Sequence, residues 1–333
     1  MTLIRTGRGH VGSGGDAEDT VAAILAGLGL DVIECRRLPR PHQGLVNHYL
    51  IECQSGRYFL KVARPGRNRR PRLLRHFIKS PSLERQIAVY HALASQQFSA
   101  FRYPELVKTD HVSYLLLEFV AAVKANEKAP AATDLIEALH EFQFAGTVPA
   151  NDTFGNLILH FLLNPTVHLA TALLTRLRRR LGLRTAIRCL QVFAKCHASE
   201  RNQRVITLVH NDFHPENILV GPSGRLYFTD FENVTTTRKW LLLDIVHYAV
   251  ATQEAEVDTE LIREYLAKLE SSSDRLEPIN ALSQVRVAML RRVVQHATSP
   301  VPPQAVREAY STFLEEVLLS DAAFDAWFKR HFI

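Results

Sequence analysis

Leu208-Val209-His210-Asn211-Asp212-Phe213-His214-Pro215-Glu216-Asn217-Ile218-Leu219-Val220, followed by Leu226-Tyr227-Phe228-Thr229-Asp230-Phe231, decides how the rest of this chain is read. Two apolar, β-prone runs frame a polar loop. A loop that closes between antiparallel strands brings the start of one strand and the end of the next to the same edge. Asp212, Asn217 and Asp230 are therefore expected to converge although they are well separated in sequence. Taken singly, each has an ordinary reading, because Asp and Asn cap turns and end strands. The complete pattern is far more specific: H-x-D-x-x-x-x-N, then a Gly-containing turn, then an apolar strand ending in Asp-Phe.

Phosphoryl transfer from ATP needs a carboxylate to orient an acceptor hydroxyl, and oxygen ligands to hold Mg2+ against the phosphates. Asp212, Asn217 and Asp230 supply that set. The segment resembles the catalytic and metal-binding loops of the aminoglycoside phosphotransferase and choline kinase group of protein-kinase-like enzymes, and is also similar to bacterial lipopolysaccharide-core kinases. The resemblance implies Asp212 as catalytic base and Asn217 and Asp230 as magnesium ligands. It further implies that His210 supports the loop and that His214 matches the second histidine of the small-molecule kinases. Two departures point away from a regulated protein kinase: Glu232 follows Asp230-Phe231 where Gly is usual, and Asn211 stands where arginine is usual.

The upstream half is expected to hold the nucleotide-binding parts, in the right order. Lys61 lies inside the apolar run Phe59-Leu60-Lys61-Val62-Ala63, where an unpaired ammonium would be costly to bury. ATP phosphates and a carboxylate from the following helix would satisfy it, and Glu84 is well placed; by resemblance the two form the lysine–glutamate pair of kinase-like folds. The plainer readings are an edge-strand lysine reaching solvent and a first-turn acid favoured by the helix dipole. Strand alternation puts Phe59 on the face of Lys61, so Phe59 is a candidate to cover the adenine ring. Gly44-Leu45-Val46-Asn47 is the candidate phosphate-covering turn. Leu116-Leu117-Glu118-Phe119-Val120 resembles the interlobe hinge, whose backbone at Glu118 and Val120 would meet adenine. Asp244 resembles the family's buried aspartate that supports the catalytic loop.

Around these motifs the pattern predicts strands at Val32–Leu38, His48–Cys53, Tyr58–Ala63, Tyr103–Lys108 and Ser113–Val120, with Ser55-Gly56 as a turn and a helix over Ser82–Gln97. Beyond Ala121 the spacing becomes helical. The expected organisation is a flexible tail (1–20), a nucleotide-binding lobe (21–121) and a helical catalytic and substrate lobe (122–333). The fold class is α+β, a two-lobed protein-kinase-like fold with a five-stranded antiparallel sheet plus one helix in its first lobe.

The 333 residues are 47% apolar, enough to bury a large core. Lys and Arg number 40 against 34 Asp and Glu, a net +6 that favours anionic partners. Cys35, Cys53, Cys189 and Cys196 form no metal or disulfide framework and read as reduced thiols. No signal peptide or membrane span is evident, so a cytoplasmic protein is expected, with peripheral membrane contact left open. Arginines cluster at 64–75 and at 176–188; the second set lies on an amphipathic pattern that suits an anionic membrane surface or polyanionic substrate, or simply a solvated face. No aromatics interleave them, so nucleic acid ranks low as a partner. The expectation is an ATP- and Mg2+-dependent phosphotransferase acting on a hydroxyl of a small molecule or glycan, with a lipopolysaccharide-type sugar as one option and an aminoglycoside, choline or ethanolamine as alternatives. Outside enzymes, the alternatives are a non-catalytic pseudokinase and a membrane-associated scaffold.

Overall fold

The computed structural model describes residues 3–4, 16–38, 46–63, 83–109, 114–145, 182–200, 203–250, 256–272, 276, 278–298 and 302–333. The chain divides into two compact units, Met1–Gln97 with Arg102–Ala122 and Tyr227–Glu232, and Phe98–Phe101 with Val123–Leu226 and Asn233–Ile333.

In the first unit, strands β1 (Leu3–Ile4), β2 (Val32–Arg37), β3 (Val46–Cys53), β4 (Gly56–Ala63), β6 (Leu106–Thr109) and β7 (Tyr114–Glu118) form a six-stranded antiparallel sheet in the order β1-β2-β3-β4-β7-β6; the short β5 (Phe101–Arg102) precedes β6. Five strands were expected. The sixth, β1, pairs Leu3 with Arg36 and Ile4 with Cys35. It lies in the segment expected to be a tail, as does the start of a helix over Asp16–Leu28.

That helix sets Val21, Leu25 and Leu28 at one-turn spacings, and they pack with Tyr49, Ile51, Leu60, Val62 and Leu116 of the sheet. It stops at Gly29, whose φ of 66° is the left-handed conformation that ends helices. The β3–β4 hairpin turns on Gln54-Ser55, one residue earlier than the sequence suggested, since Cys53 already pairs with Gly56. Gly56 opens β4 with φ 145°, which a side chain would resist. A second helix, Leu83–Ala94, follows.

The second unit begins with β8 (Val123–Lys124) and is mainly helical thereafter: Ala132–Gln143, Leu183–Ser199, Leu243–Ala249, Thr259–Ser271, Ala281–Thr298, Gln304–Phe313 and Asp321–Phe332. Into it are set β9 (Thr207–Val209), β10 (Ile218–Val220) and β12 (Thr235–Thr237), while β11 (Leu226–Phe228) has Leu226 in this unit and Tyr227 and Phe228 in the first. β12 pairs with β9 and β8 with β10. The Ala281–Thr298 helix is anchored by buried Arg286, which donates to the Leu318 carbonyl and to Asp321 at 2.6 Å. Among the described residues no helix is long and apolar enough to cross a membrane.

All four cysteines are buried free thiols. Burial pushes Cys35 up to about 11 and Cys189 up to about 12, so neither is a ready nucleophile.

Glu200, just past the Leu183–Ser199 helix, is buried, with Oε1 accepting from Gln284 at 2.9 Å and Oε2 without a partner among the described residues. Burial raises its carboxyl to about 7, against the pull of Gln284 and Lys239. Since the folded pKa lies above the ordinary 4.5, the unfolded state ionises first as pH rises, and stability falls between pH 4.5 and 7. Glu200→Gln is therefore expected to stabilise the protein at pH 8 by about 1–2 kcal/mol, with little change at pH 4.5. Thermal melts at the two pH values test this, and equal shifts at both would refute it.

Candidate active site

In the second unit the chain leaves β9 at Val209 and turns sharply through His210, Asn211 and Asp212. Asn211 has φ 63°, a left-handed geometry that Asn tolerates better than most residues. Its side chain enforces the turn, because Nδ2 donates to the Asn233 carbonyl at 2.9 Å and to Thr235 Oγ1 at 2.7 Å. Arg291 reaches in from the Ala281–Thr298 helix, donating to Asn211 Oδ1 at 3.0 Å and to its carbonyl at 3.3 Å. The asparagine standing where protein kinases carry arginine thus has a structural task of its own.

Asp244 braces the same turn from below. It is fully buried, and its two oxygens accept the backbone N–H groups of His210 at 2.7 Å and Asn211 at 2.9 Å. Burial pushes its carboxyl up, while His210, the two N–H groups and Arg291 pull it back. This is the support expected of Asp244 from sequence. Asp244→Asn keeps the shape but turns an amide N–H2 toward one of the two donors. It is expected to destabilise the protein by about 1–2 kcal/mol. Urea titration with turnover on the same sample checks it, and an unchanged midpoint would remove the bracing role.

Past Asp212 a single 3-10 turn, Pro215–Asn217, returns the chain into β10. His214 caps this turn, its Nδ1 accepting from Glu216 N–H at 3.3 Å. The His214 Nε2 lies 3.1 Å from Asn217 Nδ2 and 3.5 Å from Asp212 Oδ1. Asn217 Nδ2 also donates to the Asp212 carbonyl at 3.0 Å and approaches its Oδ2 at 3.4 Å. Two of the three loop residues predicted to act together, Asp212 and Asn217, are therefore in direct contact, with the His214 ring close to both. The Asp212 side chain is about a third exposed, at 31%. His210 is buried against Phe142 and Phe213, which is a packing role.

Asp230 belongs to the first unit, at the end of β11. There Lys61 is only 3% exposed, on β4 between β3 and β7, so the edge-strand reading is excluded. Its Nζ donates to Asp230 Oδ1 at 2.5 Å and to Gln86 Oε1 at 2.8 Å. Asp230 has φ 63°, and the next residue, Phe231, is fully buried against Tyr90 and Tyr103. That packing fixes where the carboxylate stands.

Gln86 gave no sequence signal, since glutamine is an ordinary helix residue. The Glu84 side chain and Gly44 lie outside the described residues. At the expected hinge, Glu118 N–H donates to the Glu105 carbonyl at 2.9 Å, and the Val120 carbonyl accepts from Ala122 N–H at 3.0 Å. Phe59 stacks edge-on against His48.

Among the described residues no three His, Cys, Asp or Glu side chains cluster to hold a metal. Magnesium bound with nucleotide needs no such cage, because one or two protein oxygens suffice when phosphates and waters complete the shell. The carboxylate of Asp230 and the amide oxygen of Asn217 suit that hard-oxygen chemistry.

A sequence-family model described as a phosphotransferase enzyme family matches residues 37–279. A search of curated proteins finds no match. Among solved structures, the chain is similar to the spectinomycin phosphotransferase APH(9)-Ia in complex with ADP and spectinomycin, at 13% identity and TM-score 0.55, covering 92% of this chain and 97% of that one. It is also similar to the choline kinase LicA from Streptococcus pneumoniae, at 12% identity and TM-score 0.56, covering 94% and 96%. A third, the ADP-bound aminoglycoside phosphotransferase APH(2'')-Ib, gives 15% identity and TM-score 0.56 over 90% and 96%. At these identities the likeness is one of fold.

Proposed function

Because this chain belongs to the phosphotransferase enzyme family, and is thereby an ATP- and Mg2+-dependent enzyme with an alcohol group as acceptor, we propose that Asp212 is its base and that a small-molecule or glycan hydroxyl is its target. The observation that carries this reading is the contact of Asp212 with Asn217 and His214, on a turn clamped by Asp244 and Arg291. So braced, Asp212 receives the acceptor proton as the acceptor oxygen bonds to the γ-phosphorus and the bond to the ADP oxygen breaks. The role given to Asn217 and Asp230 is to ligate Mg2+, which when bound offsets phosphate charge. Lys61, kept in place by Asp230 and Gln86, is assigned to the nucleotide phosphates, with Glu84 as a further partner. Gly44, Glu118 and Val120 are assigned to covering phosphate and adenine.

For the acceptor, we favour a neutral or anionic metabolite or glycan, with a lipopolysaccharide-type sugar as one candidate. Of the second arginine set, Arg188 donates to the Leu319 carbonyl at 2.9 Å, so its charge is partly committed within the protein. A phosphorylation screen with labelled ATP over sugars, glycolipids, amino alcohols and aminoglycosides tests this. Turnover of sugars is expected; efficient turnover of an aminoglycoside or choline, with none on any sugar, would overturn the substrate class.

A further inference from the structure

The Ala281–Thr298 helix places Arg292 and His296 one turn apart. Arg292 is 7% exposed; one guanidinium nitrogen donates to Gln295 at 3.0 Å, and its Nε has no hydrogen-bond partner among the described residues. His296 is held by stacking on Tyr310, with ring centroids 5.0 Å apart and planes 14° from parallel, and Tyr310 is itself tied to the Val250 carbonyl at 2.8 Å. The His296 Nε2 likewise has no partner, and neither does either ring nitrogen of His247, which is 2% exposed on the Leu243–Ala249 helix. These groups share one neighbourhood. Arg292 lies within electrostatic reach of Asp212 and Glu216, His296 of Arg292 and His214, and His247 of Arg291, Arg292, His214 and His296.

This deeply buried guanidinium has one neutral hydrogen bond, and among the described residues the two carboxylates within its electrostatic reach, Asp212 and Glu216, make no hydrogen bond to it, so its desolvation is only partly offset. The histidines beside it are kept neutral: burial and Arg292 push His296 down to about 4, and burial, Arg291 and Arg292 push His247 well below the ordinary imidazole range, so each ring retains one N–H and adds no charge. With Arg291 committed to Asn211, the Arg292 charge stands among unpartnered ring nitrogens, one of which on each neutral ring carries an N–H, and that is the chemistry of an oxyanion seat.

We propose that Arg292, His296 and His247 form an oxyanion subsite beside Asp212 that seats a phosphate or carboxylate carried by the acceptor, making the substrate an anionic alcohol. This rests on the function proposed above, since the subsite is assigned to the acceptor because Arg292 lies within electrostatic reach of the base.

The test begins with calorimetric titration of inorganic phosphate, and separately malonate, into the full-length protein saturated with Mg2+ and a non-hydrolysable ATP analogue, which fills the phosphate positions of the nucleotide. At least one anion is expected to bind, and the one that does identifies the acceptor group. Arg292→Met should weaken binding about tenfold or more, and His296→Gln, which removes no charge and spares the fold if Arg292→Met does not, about threefold. Glucose, glucose 6-phosphate, gluconate and kanamycin are then compared as acceptors. The anionic members should lead by about tenfold in kcat/KM through KM, and Arg292→Met should erase that lead. Failure of both anions to bind the analogue-saturated protein, binding indifferent to both variants, or equal loss on neutral and anionic acceptors, as an arginine serving the transferred phosphoryl would give, overturns the subsite. Anion binding intact with no phosphoryl transfer to any acceptor strikes instead at the function proposed above.

Discussion

Asp212→Asn is expected to lower turnover by about a hundredfold or more while the protein stays folded and binds Mg2+–ATP, since positioned base catalysis is worth about that much. The loop geometry explains why chemistry and fold separate here. The Asp212 backbone carbonyl, which the substitution leaves in place, receives the stronger Asn217 bond at 3.0 Å, and the turn is clamped through His210 and Asn211 by Asp244. An amide at this position fills the same space beside His214 but takes no proton. Single-turnover phosphotransfer on the purified variant, alongside calorimetry of Mg2+–ATP, gives the answer. Near-wild-type turnover would deny Asp212 the role of base.

Asp230→Ala is expected to weaken Mg2+-dependent nucleotide binding by about a hundredfold or more, because three things are lost together. The proposed metal loses an oxygen ligand. Lys61, 3% exposed, loses its carboxylate and keeps only Gln86 among its named partners, leaving an ammonium that is poorly compensated in the interior. Alanine also suits φ 63° poorly, whereas Asp and Asn tolerate it. Asp230→Asn separates the causes, as it keeps the backbone preference and a neutral partner for Lys61 but not the charged ligand. If calorimetry finds Mg2+–ATP affinity unchanged in both variants, Asp230 is not a metal ligand.

The sequence by itself determined what is local. The spacing of Asp212 and Asn217 fits one tight turn, so their contact follows from a few backbone angles, and an apolar run around a lone lysine already announces a buried charge in need of an anion. The family followed from those motifs because the chemistry of phosphoryl transfer fixes residue types at fixed spacings. What only the tertiary structure decided depends on contacts between residues far apart along the chain. The sixth strand, Leu3–Ile4, and the Asp16–Leu28 helix flank a glycine-rich stretch of sequence that gives no periodicity, and each is placed by pairing or packing on the sheet. Gln86 beside Lys61 and Arg291 beside Asn211 join segments 25 and 80 residues apart, and neither residue type signals its partner in sequence. Arg292 and His296 read as one more basic turn on an amphipathic helix. Only the tertiary structure, which leaves Arg292 Nε and His296 Nε2 without hydrogen-bond partners among the described residues and brings Arg292 within electrostatic reach of Asp212, turns them into a candidate binding site.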